Sequence, residues 1–298
     1  VELDPDATYD VGGIVVPVLN AEGDISMVLR ITQLPPSTLG RVVESRAAGF
    51  RAGDLVRGFG RWGDHSCVVP AMAALNVLDD TVADPRQHLG VLGMNGWTAY
   101  HGITATGRTR PGETVLVSAA AGATGLLAAQ IARNMGCRVV GIAGGAGKCR
   151  MLVEEFGLDC AIDYKNDDVE QALTRIGGGI HVYFDNVGGP LLDAVLPHMA
   201  HYGRVAICGL VATYTADSAT PGPRRFDQVL MRRLSIAGFF SPDFAHRGPE
   251  YNALLQPWLR AGRITLPFDI TTGLENLLTA YAKLFTGGNI GKVLVKLT

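Results

Sequence analysis

Residues 113–148 read ETVLVSAAAGATGLLAAQIARNMGCRVVGIAGGAGK. The β-branched apolar run 114–117 is typical of a buried strand, and the Ala- and Gly-rich stretch after it is typical of a tight turn. Apolar residues over 126–132 suit a buried helix, and a second apolar run over 139–143 predicts the next strand. We therefore expect a βαβ unit of a parallel sheet. Its turn lies at the carboxyl end of the first strand, where open α/β sheets bind their ligands.

The turn itself reads AAAGATG over residues 119–125, which fits the dinucleotide fingerprint except that alanine replaces the first glycine. Gly122 allows a pyrophosphate to approach the backbone, and Gly125 allows the helix to pack closely on the strand. The free N–H groups at the start of the helix favour an anion. A purely structural βα turn explains the motif alone equally well, but strand, turn, helix and second strand follow in the order that the fingerprint requires.

The end of the second predicted strand indicates which coenzyme is bound. NAD-binding proteins usually place an Asp or Glu about 20 residues beyond the turn, on the ribose 2′-hydroxyl. Here residues 144–150 read GGAGKCR, and no carboxylate follows until Glu154. The small residues leave room for a 2′-phosphate, which Lys148 or Arg150 could neutralise. The sequence therefore favours NADP(H) over NAD(H). Both cations could instead be ordinary solvated ones, and the missing acid is the stronger half of the argument.

Composition and charge narrow the class of protein. The chain has 298 residues, a formal net charge of -2 and 47% hydrophobic residues, which suits a two-domain α/β enzyme and argues against disorder. No long basic block points to nucleic acid or an anionic membrane. The apolar window 115–132 approaches the length of a membrane span, but it contains the predicted turn, so we expect buried sheet and helix.

The cysteines predict a cytoplasmic protein. The 5 cysteines are odd in number and lack C-x-x-C spacing, which argues against a disulfide scaffold or a structural zinc cluster and favours a reducing compartment. No signal peptide is visible.

Residues 1 to about 90 have a different texture from the rest. Short apolar runs, over 13–19, 27–31, 40–43 and 54–59, are separated by Gly, Pro, Asp and Asn. This pattern predicts a small, mostly antiparallel barrel or sandwich. After it, a helix with Asn95 or Thr98 as its cap is expected to lead into the nucleotide domain.

Five motifs together carry a resemblance to a known family. They are GMNGWTAYHG (93–102), the turn (119–125), YFDNVGG (183–189), CGLVATY (208–214) and GNIGK (288–292). With them the chain resembles the zinc-free medium-chain dehydrogenase/reductase superfamily. Within it, the chain is most similar to the NADP-dependent alkenal double-bond reductases, also called prostaglandin reductases or leukotriene B4 dehydrogenase-like enzymes. The similarity runs nearly continuously over residues 40–298.

The resemblance implies an α/β fold with two domains. A Rossmann doubly wound parallel sheet would occupy residues 96–240. A GroES-like, mostly antiparallel β-barrel domain that binds substrate would comprise residues 1–95 and 241–298. Two copies would form a homodimer by edge-to-edge pairing of their Rossmann sheets.

The resemblance also implies a reaction, in which NADPH reduces the C=C bond of an α,β-unsaturated aldehyde or ketone. The residues it places at the coenzyme pyrophosphate are Ala121, Gly122, Ala123, Thr124 and Gly125. Those at the 2′-phosphate are Lys148 and Tyr164. Those around the ribose and nicotinamide are Asn186, Cys208, Gly209, Tyr214, Phe239, Phe240, Ser241 and Asn289. Taken singly, a surface tyrosine or a turn asparagine is an equally good interpretation of Tyr164, Asn186 or Asn289, but together they follow the family pattern.

Tyr214 is the residue expected nearest to the reacting carbonyl. Its phenol could donate to the developing enolate, order the coenzyme ribose or pack as a lid, and water is an alternative proton source. The substrate pocket is predicted to include Met94, Asn95, Trp97 and His65, with His65 as a wall or turn residue. Without a Gly-His-Glu sequence, and with Cys67 and scattered histidines only, no metal ligands are expected in the first domain.

Two departures from the family leave the substrate open. About thirty residues seen in the family are missing between Leu34 and Gly40, so that either a loop is absent or the pocket is open on that side. Asn95 and Trp97 replace the Pro and Leu common in the family, which would reshape the site. A quinone or enoyl-thioester reductase of the same superfamily, or a coenzyme-binding protein with lost or redirected chemistry, are the alternatives.

Overall fold

The computed structural model describes the strand backbones of residues 14–19 and 25–31, and residues 37–59, 67–214 and 222–297. The chain forms two compact units. One contains the described residues up to Ala83 with Thr272–Ala280 and the last residues from Val295; the other contains Asp84–Thr271 and Tyr281–Leu294. The second unit is thus larger than the predicted nucleotide domain of residues 96–240, and the predicted division stays a prediction.

The second unit is built on a parallel sheet of six strands in the order β11-β10-β9-β6-β7-β8. These strands are β6 (Thr114–Val117), β7 (Arg138–Ala143), β8 (Cys160–Asp163), β9 (Ile180–Asp185), β10 (Met199–Ile207) and β11 (Ser235–Gly238). All four residues of β6 are buried, as expected for a strand covered on both faces. The predicted doubly wound parallel sheet is confirmed.

Helices connect the strands of this sheet: α2 (Ala123–Asn134), α3 (Ala146–Glu154), α4 (Val169–Arg175), α5 (Gly189–Val195) and α6 (Asp227–Met231). The strand order reverses between β6 and β9, because the chain runs outward through β7 and β8 and then crosses back. Such a switch point opens a crevice at the carboxyl ends of the two strands. Apolar side chains fill the core beneath it, including the fully buried Leu116, Val140, Tyr183 and Met199.

The α5 helix is shorter than the sequence indicates, because the apolar pattern predicts one helix over 191–199. The helix ends at Val195, a 3₁₀ turn covers Leu196–His198, and Met199 already begins β10. Pro197 accounts for the change, since it has no N–H to continue the helical hydrogen bonding.

Antiparallel strands make up the first part of the chain, as predicted. The strands are β1 (Ile14–Leu19), β2 (Ile25–Ile31), β3 (Ser37–Arg41), β4 (Leu55–Phe59) and β5 (Asn76–Val77). β1 pairs with β2, and β4 pairs with both β3 and β5. Position 65 and the stretch 32–36, where the family comparison predicts missing residues, lie outside the described residues.

The remaining elements are α1 (Met94–His101), a π-helical turn (Gly102–Thr106), α7 (Gly248–Arg260), β12 (Phe268–Thr272), α8 (Leu277–Thr286) and β13 (Lys292–Lys296). The predicted cap of α1 is wrong, because Gly93 occupies the N-cap and neither Asn95 nor Thr98 does. A Cβ at Gly93 would lie 2.3 Å from His88 O, so only glycine fits this turn. Within the described ranges, no helix has the length and apolar character needed to cross a membrane.

Candidate active site at the carboxyl edge of the parallel sheet

The turn between β6 and α2 has the geometry of an anion site. Gly122 is the N-cap of α2 in extended conformation, and it has no side chain to cap the helix. The N–H groups of Ala123, Thr124 and Gly125 belong to the first turn, where no intrahelical acceptor is available. These donors and the positive end of the helix dipole suit a phosphate group.

Gly125 is required by the packing of this turn. A Cβ at Gly125 would lie 2.4 Å from Ala119 O, a contact that real side chains do not make. Ala119 itself has φ of 49°. The turn is therefore as tight as the dinucleotide fingerprint requires, although alanine replaces its first glycine.

Asp163, at the carboxyl end of β8, lies behind the second turn, which begins with Gly144 and Gly145. Its Oδ1 accepts from the N–H of Gly145 at 2.7 Å and from that of Lys165 at 3.1 Å, and its Oδ2 accepts from Asn166 Nδ2 at 2.7 Å. These bonds, the one from Gly145 foremost, lower the pKa of Asp163. The carboxylate is thus present but already satisfied by donors of the protein.

Lys148 and Tyr164, the two residues predicted at the 2′-phosphate, flank this second turn. Lys148 Nζ donates to the carbonyl oxygens of Gly287 at 2.7 Å and Asn289 at 2.6 Å. Burial, and then the nearby charge of Lys165, lower the pKa of Lys148. Tyr164 is half exposed, and its ring occupies the space that a Cβ at Gly144 would need, 2.9 Å from Cε1. Arg150, the other cation considered, is exposed on α3.

A buried polar network joins the ends of β6 and β9 at the switch point. Ser118 Oγ donates to Asp185 Oδ1 at 3.0 Å and accepts from the N–H of Asn186 at 2.8 Å. Tyr183 Oη also donates to Asp185 Oδ1, at 2.8 Å, and Asn186 Nδ2 donates to Ser118 O at 2.6 Å. Desolvation, and then the charge of Asp185, raise the pKa of Tyr183 well above its usual value. The network fixes Asn186 at the crevice.

The loop after β10 carries Cys208, Gly209 and Tyr214. The N–H groups of Cys208 and Gly209 donate to Asp185 O, at 2.8 and 3.1 Å. Burial, and then Asp185, raise the pKa of Cys208 to about 12. Tyr214 is 56% exposed, and its phenol oxygen accepts from the N–H of Leu210 at 3.3 Å. Residues 215–221, which follow it, lie outside the described residues.

Phe239, Phe240 and Ser241 follow β11. The Phe239 ring lies 6.1 Å from that of Phe184 and 5.7 Å from that of His101, centroid to centroid. Phe240 is exposed, and Ser241 begins a 3₁₀ turn. Only Phe239 of the three is therefore held by an aromatic cluster.

The predicted pocket residues in α1 have different surroundings. Asn95 Nδ2 donates to Thr124 Oγ1 at 2.8 Å, so Asn95 lies beside the start of α2. Trp97 is buried, and its Nε1 donates to Asn252 Oδ1 at 2.7 Å. Its ring occupies the space beside Gly248, where a Cβ would come within 2.4 Å. The indole thus packs on α7, while Met94 is partly buried at the start of α1.

The loop that carries Asn289 contacts the turn between β6 and α2. It is largely buried, and its Nδ2 donates to Gly291 O at 3.2 Å. The N–H of Gly291 donates to Ala121 O at 2.8 Å, and Gly291 forms a parallel bridge with Gly122. With this loop, the predicted coenzyme residues gather along the carboxyl ends of β6 to β11. Sequence reasoning did not assign roles to Ser118, Asp163 or Asp185, although each lies within two residues of a strand end.

The chain is similar to known dehydrogenases and reductases. A family model described as zinc-binding dehydrogenase matches residues 123–256. The NADPH-dependent curcumin reductase of Escherichia coli (strain K12) is 40% identical over 265 residues, which cover 87% of this chain and 76% of that protein. The chain belongs to the zinc-free medium-chain dehydrogenase/reductase superfamily. Its predicted family is confirmed.

Two further members of this superfamily show the same extent of similarity. The NADP(+)-dependent 2-alkenal reductase of Nicotiana tabacum is 40% identical over 257 residues, which cover 86% of this chain and 74% of that protein. The crystal structure of CurA from Vibrio vulnificus in complex with NADPH has a TM-score of 0.80 and 36% identity, and the match covers 88% of this chain and 79% of CurA.

In the part of our chain that the structure describes, no group of three or more His, Cys, Asp or Glu residues is arranged to hold a metal ion.

Proposed function

We propose that this protein is an NADPH-dependent reductase that transfers hydride to the C=C bond of α,β-unsaturated aldehydes and ketones. The arrangement of the carboxyl edge carries the proposal: an uncapped helix start, a small-residue turn with Lys148, and the network at the switch point follow consecutive strands of one sheet. Relatives at 40% identity are named as NADPH-dependent curcumin reductase and 2-alkenal reductase. The bound coenzyme would supply the hydride for the β-carbon of the substrate, and a proton is then added at the α-carbon.

The chain's own residues would hold the two ends of this coenzyme. The N–H groups of Ala123 and Thr124 would bind the pyrophosphate, since they lack helical acceptors. Lys148 and Tyr164 would contact the 2′-phosphate, which the cation of Lys148 complements. Asn186 and Asn289 would fix the ribose and nicotinamide half.

Tyr214 is the proposed catalytic residue. Its phenol oxygen accepts a bond from Leu210 N–H, so its own O–H is left to donate. A donor near the substrate carbonyl stabilises the negative charge that develops on that oxygen. If Tyr214 plays this part, Tyr214→Phe lowers kcat and leaves the Kd for NADPH unchanged. A weaker Kd with unchanged kcat would instead support a role in ordering the ribose.

Three substrates separate the proposal from its enzymatic alternatives. We expect NADPH oxidation to be fastest with an enal or enone, compared with a quinone and a crotonyl thioester at equal concentration. The highest rate with the quinone or thioester would replace the proposed substrate class. Binding of NADPH without turnover of any of the three would favour a coenzyme-binding protein that has lost the reaction.

We also propose that two copies pair through β11. This strand is at the edge of the sheet, and all four of its residues are exposed. Such an edge presents unpaired N–H and C=O groups to another strand. Light scattering should give the mass of a dimer, and Ile236→Asp in β11 should give a monomer. Val153→Asp, on the exposed face of α3, is the matched control that should stay dimeric.

The division into domains and the cellular compartment are further proposals. We place the coenzyme domain at residues 96–240 and the substrate domain at residues 1–95 and 241–298. The five cysteines are all free thiols in the structure, which supports a reducing cytoplasm. Cell fractionation tests this location, and recovery in an oxidising compartment would contradict it.

A further inference from the structure

Residues 287–291 link the starts of two helices on the coenzyme edge. Their carbonyl oxygens at Gly287 and Asn289 accept from Lys148 Nζ, which projects from the first turn of α3. Gly291 is bonded to Ala121, in the turn that precedes α2. One short segment therefore contacts both the predicted 2′-phosphate turn and the predicted pyrophosphate turn. It also carries Asn289, which is predicted on the nicotinamide half.

Within the part of the chain that the structure describes, the hydrogen-bond partners of the Lys148 ammonium are neutral carbonyl groups. An ammonium has three N–H donors, and two of them are used by the carbonyls of Gly287 and Asn289. Among the described residues, no carboxylate forms an ion pair with Lys148. Partial burial and the nearby Lys165 both disfavour the charged form and lower its pKa. An added anion at the third donor would offset this cost.

We propose that Lys148 is a positioning residue as well as a phosphate ligand: a 2′-phosphate bound to its ammonium stabilises the 287–291 segment, and with it Asn289, against the pyrophosphate turn. The proposal rests on the proposed function, since it takes NADPH as the coenzyme. In this proposal the 2′-phosphate, which takes no part in the reaction, orders the segment that carries Asn289 near the nicotinamide. Enzymes use the binding of remote groups in this way.

The physical basis is reciprocal coupling. The bonds from Lys148 Nζ to the two carbonyls are stronger in the charged form, because an ammonium is a better donor than a neutral amine, and a bound phosphate favours the charged form. If phosphate binding strengthens the bonds that order the 287–291 segment, then ordering of the segment must strengthen phosphate binding by the same factor. Among the described residues, the segment also has a hydrogen bond from the N–H of Gly288 to Lys283 O at 3.0 Å and one from Asn289 Nδ2 to Gly291 O.

Hydrogen exchange of the amides in 284–292, measured on the full chain by mass spectrometry, tests the proposal. The variants are Lys148→Met and, as the matched control, Lys165→Met, which removes the same charge nearby from a side chain with no hydrogen bond to the segment among those the structure describes. Each protein is measured alone, with adenosine 2′,5′-bisphosphate and with 5′-AMP. The two ligands differ only in the 2′-phosphate.

Without ligand, we expect exchange in Lys148→Met to be about tenfold faster than in the wild type, because two charge-assisted hydrogen bonds are lost. The bisphosphate should slow exchange in the wild type and in Lys165→Met, and AMP should do so much less. It should have no such effect in Lys148→Met. A second variant, Lys148→Gln, keeps amide donors without the charge, so its exchange without ligand should stay nearer the wild type while the response to bisphosphate is lost.

Three results would overturn the inference. Equal exchange of wild type and Lys148→Met without ligand would remove the contact on which it rests. Equal protection by AMP and bisphosphate would remove the coupling while leaving NADPH binding intact. Failure of the wild type to bind NADPH at all, measured by calorimetry, would overturn the proposed function together with the coupling.

Discussion

Ser118 Oγ donates to Asp185 Oδ1 over 3.0 Å and so joins the ends of β6 and β9, two central neighbours in the sheet. Asp185 Oδ1 also accepts from Tyr183 Oη and from the N–H groups of Val187 and Gly188. Asp185 Oδ2 is buried with no partner among the described residues. The Ser118 hydroxyl therefore links the carboxyl ends of the two paired strands at the switch point of the sheet.

Ser118→Ala should destabilise the protein and loosen Asn186. The change removes one donor from the buried Asp185 and leaves the partly buried N–H of Asn186 without its acceptor, which costs about 1–3 kcal/mol. Urea unfolding measures this loss, and coenzyme affinity should fall with it. Ser37→Ala, at an exposed position at the start of β3, is the control and should change the free energy of unfolding by less than about 0.5 kcal/mol. Equal effects of the two changes would contradict the role of the network.

Gly125→Ala should be strongly destabilising, because its Cβ would lie 2.4 Å from Ala119 O. The helix must then move away from the turn, and we expect weakened NADPH binding as well. Gly147→Ala is the matched change, since no atom lies within 4 Å of the added Cβ. Its effect should be neutral or stabilising by up to about 1 kcal/mol, because alanine favours a helix over glycine. Thermal unfolding of both variants distinguishes tight packing from a general cost of replacing glycine.

Glu113 should make stability depend on acid pH. Burial raises its pKa, but the hydrogen bonds from Arg204 and from the N–H of Arg110 outweigh burial, so the pKa lies below its ordinary value of 4.5. A carboxyl with a lowered folded pKa stabilises the protein above the unfolded pKa, and this stabilisation is lost as pH falls through the folded pKa. Glu113→Gln should therefore cost about 1–3 kcal/mol at pH 7, and the difference should shrink below pH 4.5.

The control for this prediction is Glu170→Gln, which disrupts the exposed ion pair with Arg225. An exposed pair contributes about 0–1 kcal/mol. A constant difference between wild type and Glu113→Gln from pH 7 to pH 3 would show that the charge of Glu113 is not the cause.

Thiol reactivity should differ sharply between Cys67 and Cys208. Cys67 is exposed, whereas burial and Asp185 raise the pKa of Cys208 to about 12. At pH 8 only about one Cys208 in ten thousand would be a thiolate, which is the reactive form. Iodoacetamide should label Cys67 first, as peptide mass spectrometry can show, and Cys67→Ser should remove the fast phase. Fast labelling of Cys208 in the folded protein would contradict its burial.

The parallel sheet could be predicted from the sequence because local pattern and fold agree there. The run 114–117 is apolar at every position, and a strand buried on both faces needs that pattern. The turn at 119–125 needs glycine at fixed positions, and this spacing can be recognised in the sequence. The apolar spacing over 191–199 predicts a helix that continues beyond the observed end of α5 at Val195, because this spacing takes no account of Pro197.

Contacts between distant parts of the chain could not be predicted in this way. Asp163 Oδ1 accepts from the N–H of Gly145 at 2.7 Å, although Asp163 belongs to the following strand and comes after Glu154, the first carboxylate beyond the second turn in the sequence. The bonds of Lys148 to Gly287 and Asn289 use main-chain oxygens, which leave no trace in residue type. Gly93 caps α1 because His88 O leaves no room for a Cβ, and that restriction exists only in the folded chain.

The bridge between Gly122 and Gly291 has a consequence for biosynthesis. More than half of the residues in the sequence lie between these two glycines, so Gly291 must leave the ribosome before the two can meet. Loops of this size close slowly compared with local helices and turns. A growing chain that has not yet reached Gly291 would therefore lack this bridge, and its 119–125 turn would form without the 287–291 segment beside it.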